Sequence, residues 1–152
     1  MALQIYLDTS AYNRPFDDQS QPRIWLESLA VSLILQMLED GSIELIASSV
    51  VMFETARNPY ELQRKWVQKV MKLAVAVHAV DESIRQRAKI LKDANIKALD
   101  ALHIAVAEAA DVDYFVTCDD RLIRRYRRLA SQPVKVCDPT EFVRVVSLGE
   151  DI

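Results

Sequence analysis

Residues 113–139 read DYFVTCDDRLIRRYRRLASQPVKVCDP. The run at 113–117 is short and apolar, as in a buried strand. Residues 120–130 predict a helix, and VKVC at 134–137 predicts a second strand. Asp138 and Pro139 then open another helix, because Asp caps a helix start and Pro suits its first position. A strand, a helix and a strand in so short a stretch form a crossover unit, which aligns its two strands in parallel.

The same alternation runs through the rest of the chain. Residues 3–8 (LQIYLD) predict a buried strand. Residues 22–40 predict a long helix, with Pro22 in its first turn and Gly41 just past its end. A strand at 43–47 follows, then a short helix at 49–57 that stops before Pro59. A third helix is expected at 60–74, and a short strand or extended link at 75–79. Helices at 82–93, capped by Asp81, and at 99–110 complete the pattern. The implied fold is α/β, a parallel β-sheet flanked by helices on both faces. At 152 residues one domain is expected, spanning 1–152. In such sheets ligands bind beyond the carboxyl ends of the strands.

Four acids stand where strands end or helices begin: Asp8, Glu54, Asp100 and Asp119. If the fold gathers them, their like charges repel, and a hard divalent cation is the usual remedy. Mg²⁺ or Mn²⁺ suits carboxylate oxygens and can support hydrolysis of a phosphodiester. Zinc chemistry is disfavoured, since His78 and His103 lack zinc-like companions and Cys118 and Cys137 lack a finger spacing. Two glycines cannot build a phosphate loop or a dinucleotide fingerprint. No serine nucleophile elbow occurs.

Composition sets further bounds. Apolar residues make up 51% and charged residues 27%, as in ordinary globular proteins. The net charge of −3 does not announce a nucleic-acid binder, although a phosphate site needs only local positive charge. No apolar run approaches a membrane span, and MALQIYLD does not read as a signal peptide. A cytoplasmic location without membrane partners is therefore expected, and the two cysteines do not suggest a disulfide framework.

Each acid also has a purely structural reading. Asp100 could favour a helix dipole, and Asp119 could be only a cap. Glu54 lies in an otherwise apolar helix, and Asp8 ends a buried strand, where an unpaired charge is costly. His103 reads first as a structural histidine, and otherwise as a substrate contact or a support for Asp100. Asp120, Glu108, Asp17 and Asp18 read as solvated charge. Basic residues crowd two surfaces, Arg121, Arg124, Arg125, Arg127 and Arg128 on one helix and Arg64, Lys65, Lys69 and Lys72 on another. Arg14 or Arg121 is the expected holder of a scissile phosphate. Trp25 and Trp66, at helical spacing among apolar neighbours, read as core.

The strings IYLDTSAY, SSVVMFETAR, ALDALHIAVAEAA and YFVTCDD, in that order, resemble the PIN-domain ribonucleases, a family that includes the VapC toxins of bacterial toxin–antitoxin pairs. The resemblance runs from Leu3 to about Pro139. It implies a parallel sheet between helices and Mg²⁺- or Mn²⁺-dependent endoribonuclease activity. It casts Asp8, Glu54, Asp100 and Asp119 as the metal-holding acids. Thr9 or Ser10 takes the hydroxyl position that orients the first acid or the metal water, and Thr117 takes the family's other hydroxyl position. The segment at 12–18 lengthens the loop after Asp8 relative to compact toxins, and Leu122 stands where many relatives carry an aromatic residue. The implied partners are RNA, an antitoxin protein and a second copy of the chain, with the apolar helix at 22–40 or the third helix at the dimer interface. The rival readings are a catalytically silent PIN-like module that binds RNA or protein, and a metal-dependent DNA nuclease.

Overall fold

The computed structural model describes residues 2–149. Five parallel strands form one sheet: β1 (Leu3–Leu7), β2 (Ile43–Ser48), β3 (Ala74–His78), β4 (Tyr114–Val116) and β5 (Lys135–Cys137). Their spatial order is β3-β2-β1-β4-β5. Ile5 of β1 pairs with Leu45 of β2 on one side and with Tyr114 of β4 on the other. Ile5, Tyr6 and Leu7 are consecutive and all buried. Neighbouring side chains on a strand point to opposite faces, so both faces of the central strand are covered.

The helices are α1 (Thr9–Asn13), α2 (Pro22–Glu39), α3 (Ser49–Arg57), α4 (Glu61–Met71), α5 (Glu82–Asp93), α6 (Ala98–Ala109), α7 (Asp120–Arg127) and α8 (Pro139–Leu148). Tyr6 stacks on its register neighbour Phe115, with ring centroids 5.3 Å apart, on the face that also meets His103 of α6. Burying such a ring stabilises the fold by about 1.5–3 kcal/mol. Asp138 and Glu141 form a capping box at α8, as the Asp-Pro pair suggested. Among the described residues no helix is long and apolar enough to cross a membrane.

Several local expectations change. The segment expected as a loop after Asp8 is helical, with α1 followed by a 3₁₀ turn over Arg14–Phe16. The Asp8 side chain accepts the Ala11 N–H and so starts α1. The third helix ends at Met71 rather than 74, while the short strand expected at 75–79 is present as edge strand β3 at Ala74–His78, where alternating valines suit an extended chain. Helix α7 ends at Arg127 rather than 130. There the Gln132 side chain donates to the carbonyls of Arg127 and Leu129, satisfying groups the helix leaves open.

Helix α2 differs most. Its buried face carries Glu27, Ala30, Val31, Ile34 and Leu38, while Trp25, Leu26, Leu29 and Leu33 are exposed. Trp25 is therefore not core. Trp66 is half-buried and donates its indole N–H to the Tyr12 carbonyl.

Candidate active site

The sheet order reverses at β1. From β1 the chain crosses to β2 on one side, and β4 returns on the other. The carboxyl ends of β1 and β4 therefore adjoin at the switch point, where open parallel sheets bind ligands. Asp8 follows β1 directly, and its N–H donates to the Val116 carbonyl of β4 at 3.2 Å.

Asp8 is buried, and hydroxyls surround its carboxylate. Ser10 Oγ donates to Oδ1 at 2.6 Å, the Ala11 N–H donates to Oδ1 at 3.1 Å, and Thr117 Oγ1 donates to Oδ2 at 2.5 Å. Burial raises the carboxyl above its usual range. The nearby His103 and these hydrogen bonds pull the other way. Ser10 Oγ also accepts the Cys118 N–H, and Thr117 Oγ1 accepts the Asp119 N–H. Two hydroxyls thus tie the end of β1 to the loop that carries Asp119.

Asp119 caps α7, its Oδ1 accepting the N–H groups of Arg121 and Leu122. Oδ2 has no hydrogen-bond partner among the described residues. Asp8 and Asp119 are both helix caps, so the structural reading of these acids holds alongside any functional one.

Glu54 reaches in from α3. Its Oε1 accepts Thr9 Oγ1 at 3.2 Å and makes a very short contact with His103 Nε2. His103 Nδ1 meets the Tyr6 hydroxyl at 2.6 Å, and that hydroxyl meets Ser48 Oγ at 2.6 Å. Burial acts to raise the Glu54 carboxyl, but His103 and Thr9 outweigh it and hold the group below its usual range. His103 is therefore hydrogen-bonded to Glu54 and bears on Asp100 only through its charge. The Tyr6–Ser48 continuation of this chain escaped the sequence reading, since nothing in a strand tyrosine marks its partner.

Asp100 lies in the first turn of α6 and accepts no hydrogen bond from any described residue. Its pKa is pushed up to about 6, first by burial and then by the charges of Asp8, Asp119 and Glu54. The four acids thus feel one another at one end of the sheet. Among the described residues, no three His, Cys, Asp or Glu side chains stand arranged to hold a metal ion. The donor set still fits a hard divalent cation: it is all oxygen, it repels itself, and Asp100 and Oδ2 of Asp119 are unengaged. Cation binding would require the side chains to draw together.

Arg121 is exposed beside Asp119 and borders depressions on both sides of it. Arg14 borders one of these, but its guanidinium is committed to buried Glu27 at 2.7 Å and to Asp17 at 3.0 Å. Arg23 approaches Glu27 at 3.5 Å and forms a two-pronged pair with Asp120. Glu108, expected in solvent, holds Arg87 and the Tyr126 hydroxyl. Asp17, Asp120 and Glu108 are thus partnered charges. The signal for Glu27 was legible: it shares with Val31, Ile34 and Leu38 the four-then-three spacing of one helix face.

Glu27→Gln is expected to cost about 2 kcal/mol, because it weakens a charge-assisted bond to a nearly buried partner. The melting temperature should fall by roughly 4–8 °C for a chain of this size. A thermal melt at neutral pH reads this directly, and an unchanged melt would show that Arg14 gains nothing from Glu27.

Three comparisons with known proteins bear on this geometry. The profile of the PIN domain family matches residues 5–129. A chain of VapBC2 from Rickettsia felis, solved bound to a DNA fragment from its promoter, superposes with a TM-score of 0.55 at 11% identity, covering 90% of this chain and 98% of that one. PAE2754 from Pyrobaculum aerophilum superposes with a TM-score of 0.55 at 16% identity, covering 99% of this chain and 100% of that one. At such identities the likeness is one of fold. No curated protein sequence matches significantly.

Proposed function

The chain belongs to the PIN domain family, and from that premise we propose that it is a single-domain, divalent-metal-dependent endoribonuclease that hydrolyses RNA phosphodiester bonds. The observation that carries this reading is the junction at the switch point of the sheet, where Thr117 Oγ1 joins the Asp8 carboxylate to the Asp119 N–H and Thr9 reaches Glu54. Asp100 lies beside this junction: burial, and after it the charges of Asp8, Asp119 and Glu54, push its carboxyl up. Asp8, Glu54, Asp100 and Asp119 would hold Mg²⁺ or Mn²⁺. When bound, the ion supplies positive charge to the reacting phosphate and lowers the pKa of water.

The chain's own residues do the rest. Ser10 and Thr117 fix both oxygens of Asp8. Thr9 and His103 fix one oxygen of Glu54 and leave the other to turn inward. Arg121 is placed to take a phosphate oxygen beside Asp119. Arg14, held by Glu27 and Asp17, borders the site without a free guanidinium edge for the phosphate. Digestion of matched RNA and DNA strands with Mn²⁺ and with chelator tests the reading. Chelator-sensitive cutting of RNA supports it, and cutting of DNA alone would assign the site to a DNA nuclease instead.

A second reading, a silent PIN-like module that binds RNA or protein, would hold if the acids take up no divalent metal. A divalent-metal titration separates the two.

The toxin of a toxin–antitoxin pair is the biological role we favour, on the strength of the fold shared with VapBC2. Its partner would be an antitoxin protein, and an adjacent small gene for a DNA-binding protein would support this. Self-association fits α2, where Trp25, Leu29 and Leu33 repeat every fourth residue on the exposed side. Such a dimer would be isologous, each stripe meeting its own copy. Leu33→Glu should then convert a dimer to monomer in light scattering at micromolar concentration without lowering the melting temperature. A wild-type monomer would remove the proposal, and a dimer that survives the substitution would move it to another face.

A further inference from the structure

Three depressions adjoin along α7, and their walls overlap. The first encloses about 460 Å³ and is bordered by Ser10, Arg14, Cys118, Asp119, Arg121 and Arg124. The second is a narrow cleft between Lys97, Asp100, Asp119, Arg121 and Arg125. The third encloses about 400 Å³ beside Asn95, Arg125, Arg128 and Leu129. Asp119 and Arg121 belong to the first two, and Arg125 belongs to the last two. The middle cleft encloses only about 10 Å³ and Asp120 also borders the first depression, so the three join only as a shallow surface trough along the face of α7 that carries Arg121, Arg125 and Arg128, past Asp119 and the turn between α5 and α6.

Its cations differ from most other arginines of the chain. Arg14, Arg23, Arg87 and Arg127 are each paired with a carboxylate. Lys97, Arg121 and Arg128 are exposed, and none has an ion-pair partner among the described residues. Arg125 donates to the Asn95 carbonyl at 2.9 Å, which holds its guanidinium in the wall. In a chain of net charge −3, such a strip of uncompensated positive charge beginning at four acids marks a place for a polyanion.

We propose that this trough binds the stretch of single-stranded RNA that flanks the scissile bond, through its phosphates, with Arg121 nearest the acids, Lys97 and Arg125 next, and Arg128 farthest. The proposal rests on the ribonuclease reading for the identity of the strand. From Arg121 to Arg128 the helix rises about 10 Å, enough for its cations to meet successive phosphates of one strand. No aromatic side chain borders any of the three depressions. Binding therefore lacks a base-stacking platform and is tolerant of sequence and steeply salt-dependent.

The test measures binding of a fluorescein-labelled oligouridylate by anisotropy with Mg²⁺ present, in an Asp100→Asn background so that the strand survives. Lys97→Gln with Arg128→Gln removes two exposed trough charges. Lys65→Gln with Lys69→Gln removes two exposed charges from α4 as a control. The trough pair is expected to weaken binding and to lower the slope of log K against log salt by about 1.4, at ~0.7 per lost phosphate contact to a single strand. The α4 pair should leave the slope unchanged. An unchanged slope in the trough pair, an equal loss in the α4 pair, or no binding of RNA by the background protein would each overturn the proposal. Digestion of RNA by the wild type is scored separately. A protein that binds along the trough but never cuts keeps the trough and loses the nuclease reading.

Discussion

Asp100→Asn is expected to abolish RNA cleavage while making the metal-free protein more stable at neutral pH. The two effects share one cause. Asp100 sits half-buried among Asp8, Asp119 and Glu54, and its carboxyl titrates at about 6 in the folded chain. In the unfolded chain an Asp titrates near 3.9. Between those values the folded state binds more protons than the unfolded state, so stability falls as pH rises from about 4 to about 6 and stays lower at pH 7. A two-unit difference corresponds to about 3 kcal/mol, and solvent screening of a group this accessible leaves on the order of 1–2 kcal/mol. Asn keeps the shape and removes the charge. The variant should melt higher than wild type at pH 7, and the difference should vanish near pH 4. Cleavage should fall by at least about a hundredfold, since the charge stabilisation that a metal provides is worth several kcal/mol and each ~1.4 kcal/mol is a factor of ten. A folded variant that melts no higher and cuts at the wild-type rate would end the case for this site.

Divalent cations are expected to stabilise the protein well beyond an ionic-strength effect. The native acids share one end of the sheet, whereas the unfolded chain scatters them, so a cation that needs several carboxylates binds only the folded state. At a hundredfold excess over its dissociation constant such a ligand adds about 2.7 kcal/mol. For a chain of this length the melting temperature should rise by roughly 5–11 °C. Melts with Mn²⁺, Mg²⁺ and a monovalent salt at matched ionic strength measure it, and Asp100→Asn should blunt the gain. Equal melts in Mn²⁺ and in the monovalent control would favour the silent module.

How far the sequence could be read differs from residue to residue. Asp8 was conspicuous because a charge ending an apolar strand has few cheap explanations, and the structure places it at the β1–β4 switch point. Trp25 misled because an apolar residue in an apolar helix carries no mark of which way it faces. Helix α2 puts its one buried acid, Glu27, on the inner side and leaves Trp25, Leu29 and Leu33 outside. The segment at 12–18 looked like an inserted loop because its short helix depends on a cap from Asp8, a residue that sequence reading had reserved for chemistry. Arg14 looked free for phosphate because its partner Glu27 is thirteen residues away on another element.

By itself the sequence determined the alternation of strands and helices, the parallel sheet, and the order of the four acids along it. Those features are written in local patterns: apolar runs of strand length, capping acids, a proline at a helix start. Only the tertiary structure decided which partner each charged group takes. It gave Glu54 to His103 and Thr9, Arg14 to Glu27, Arg23 to Asp120 and Glu108 to Arg87. It also decided that Lys97, Arg121 and Arg128 lie exposed, with no ion-pair partner among the described residues. The reason is physical: a strand's apolar run or a helix cap depends on short-range chain geometry, but which face is buried and the electrostatic state of a carboxylate or guanidinium depend on what the fold brings within a few ångströms, from anywhere in the chain.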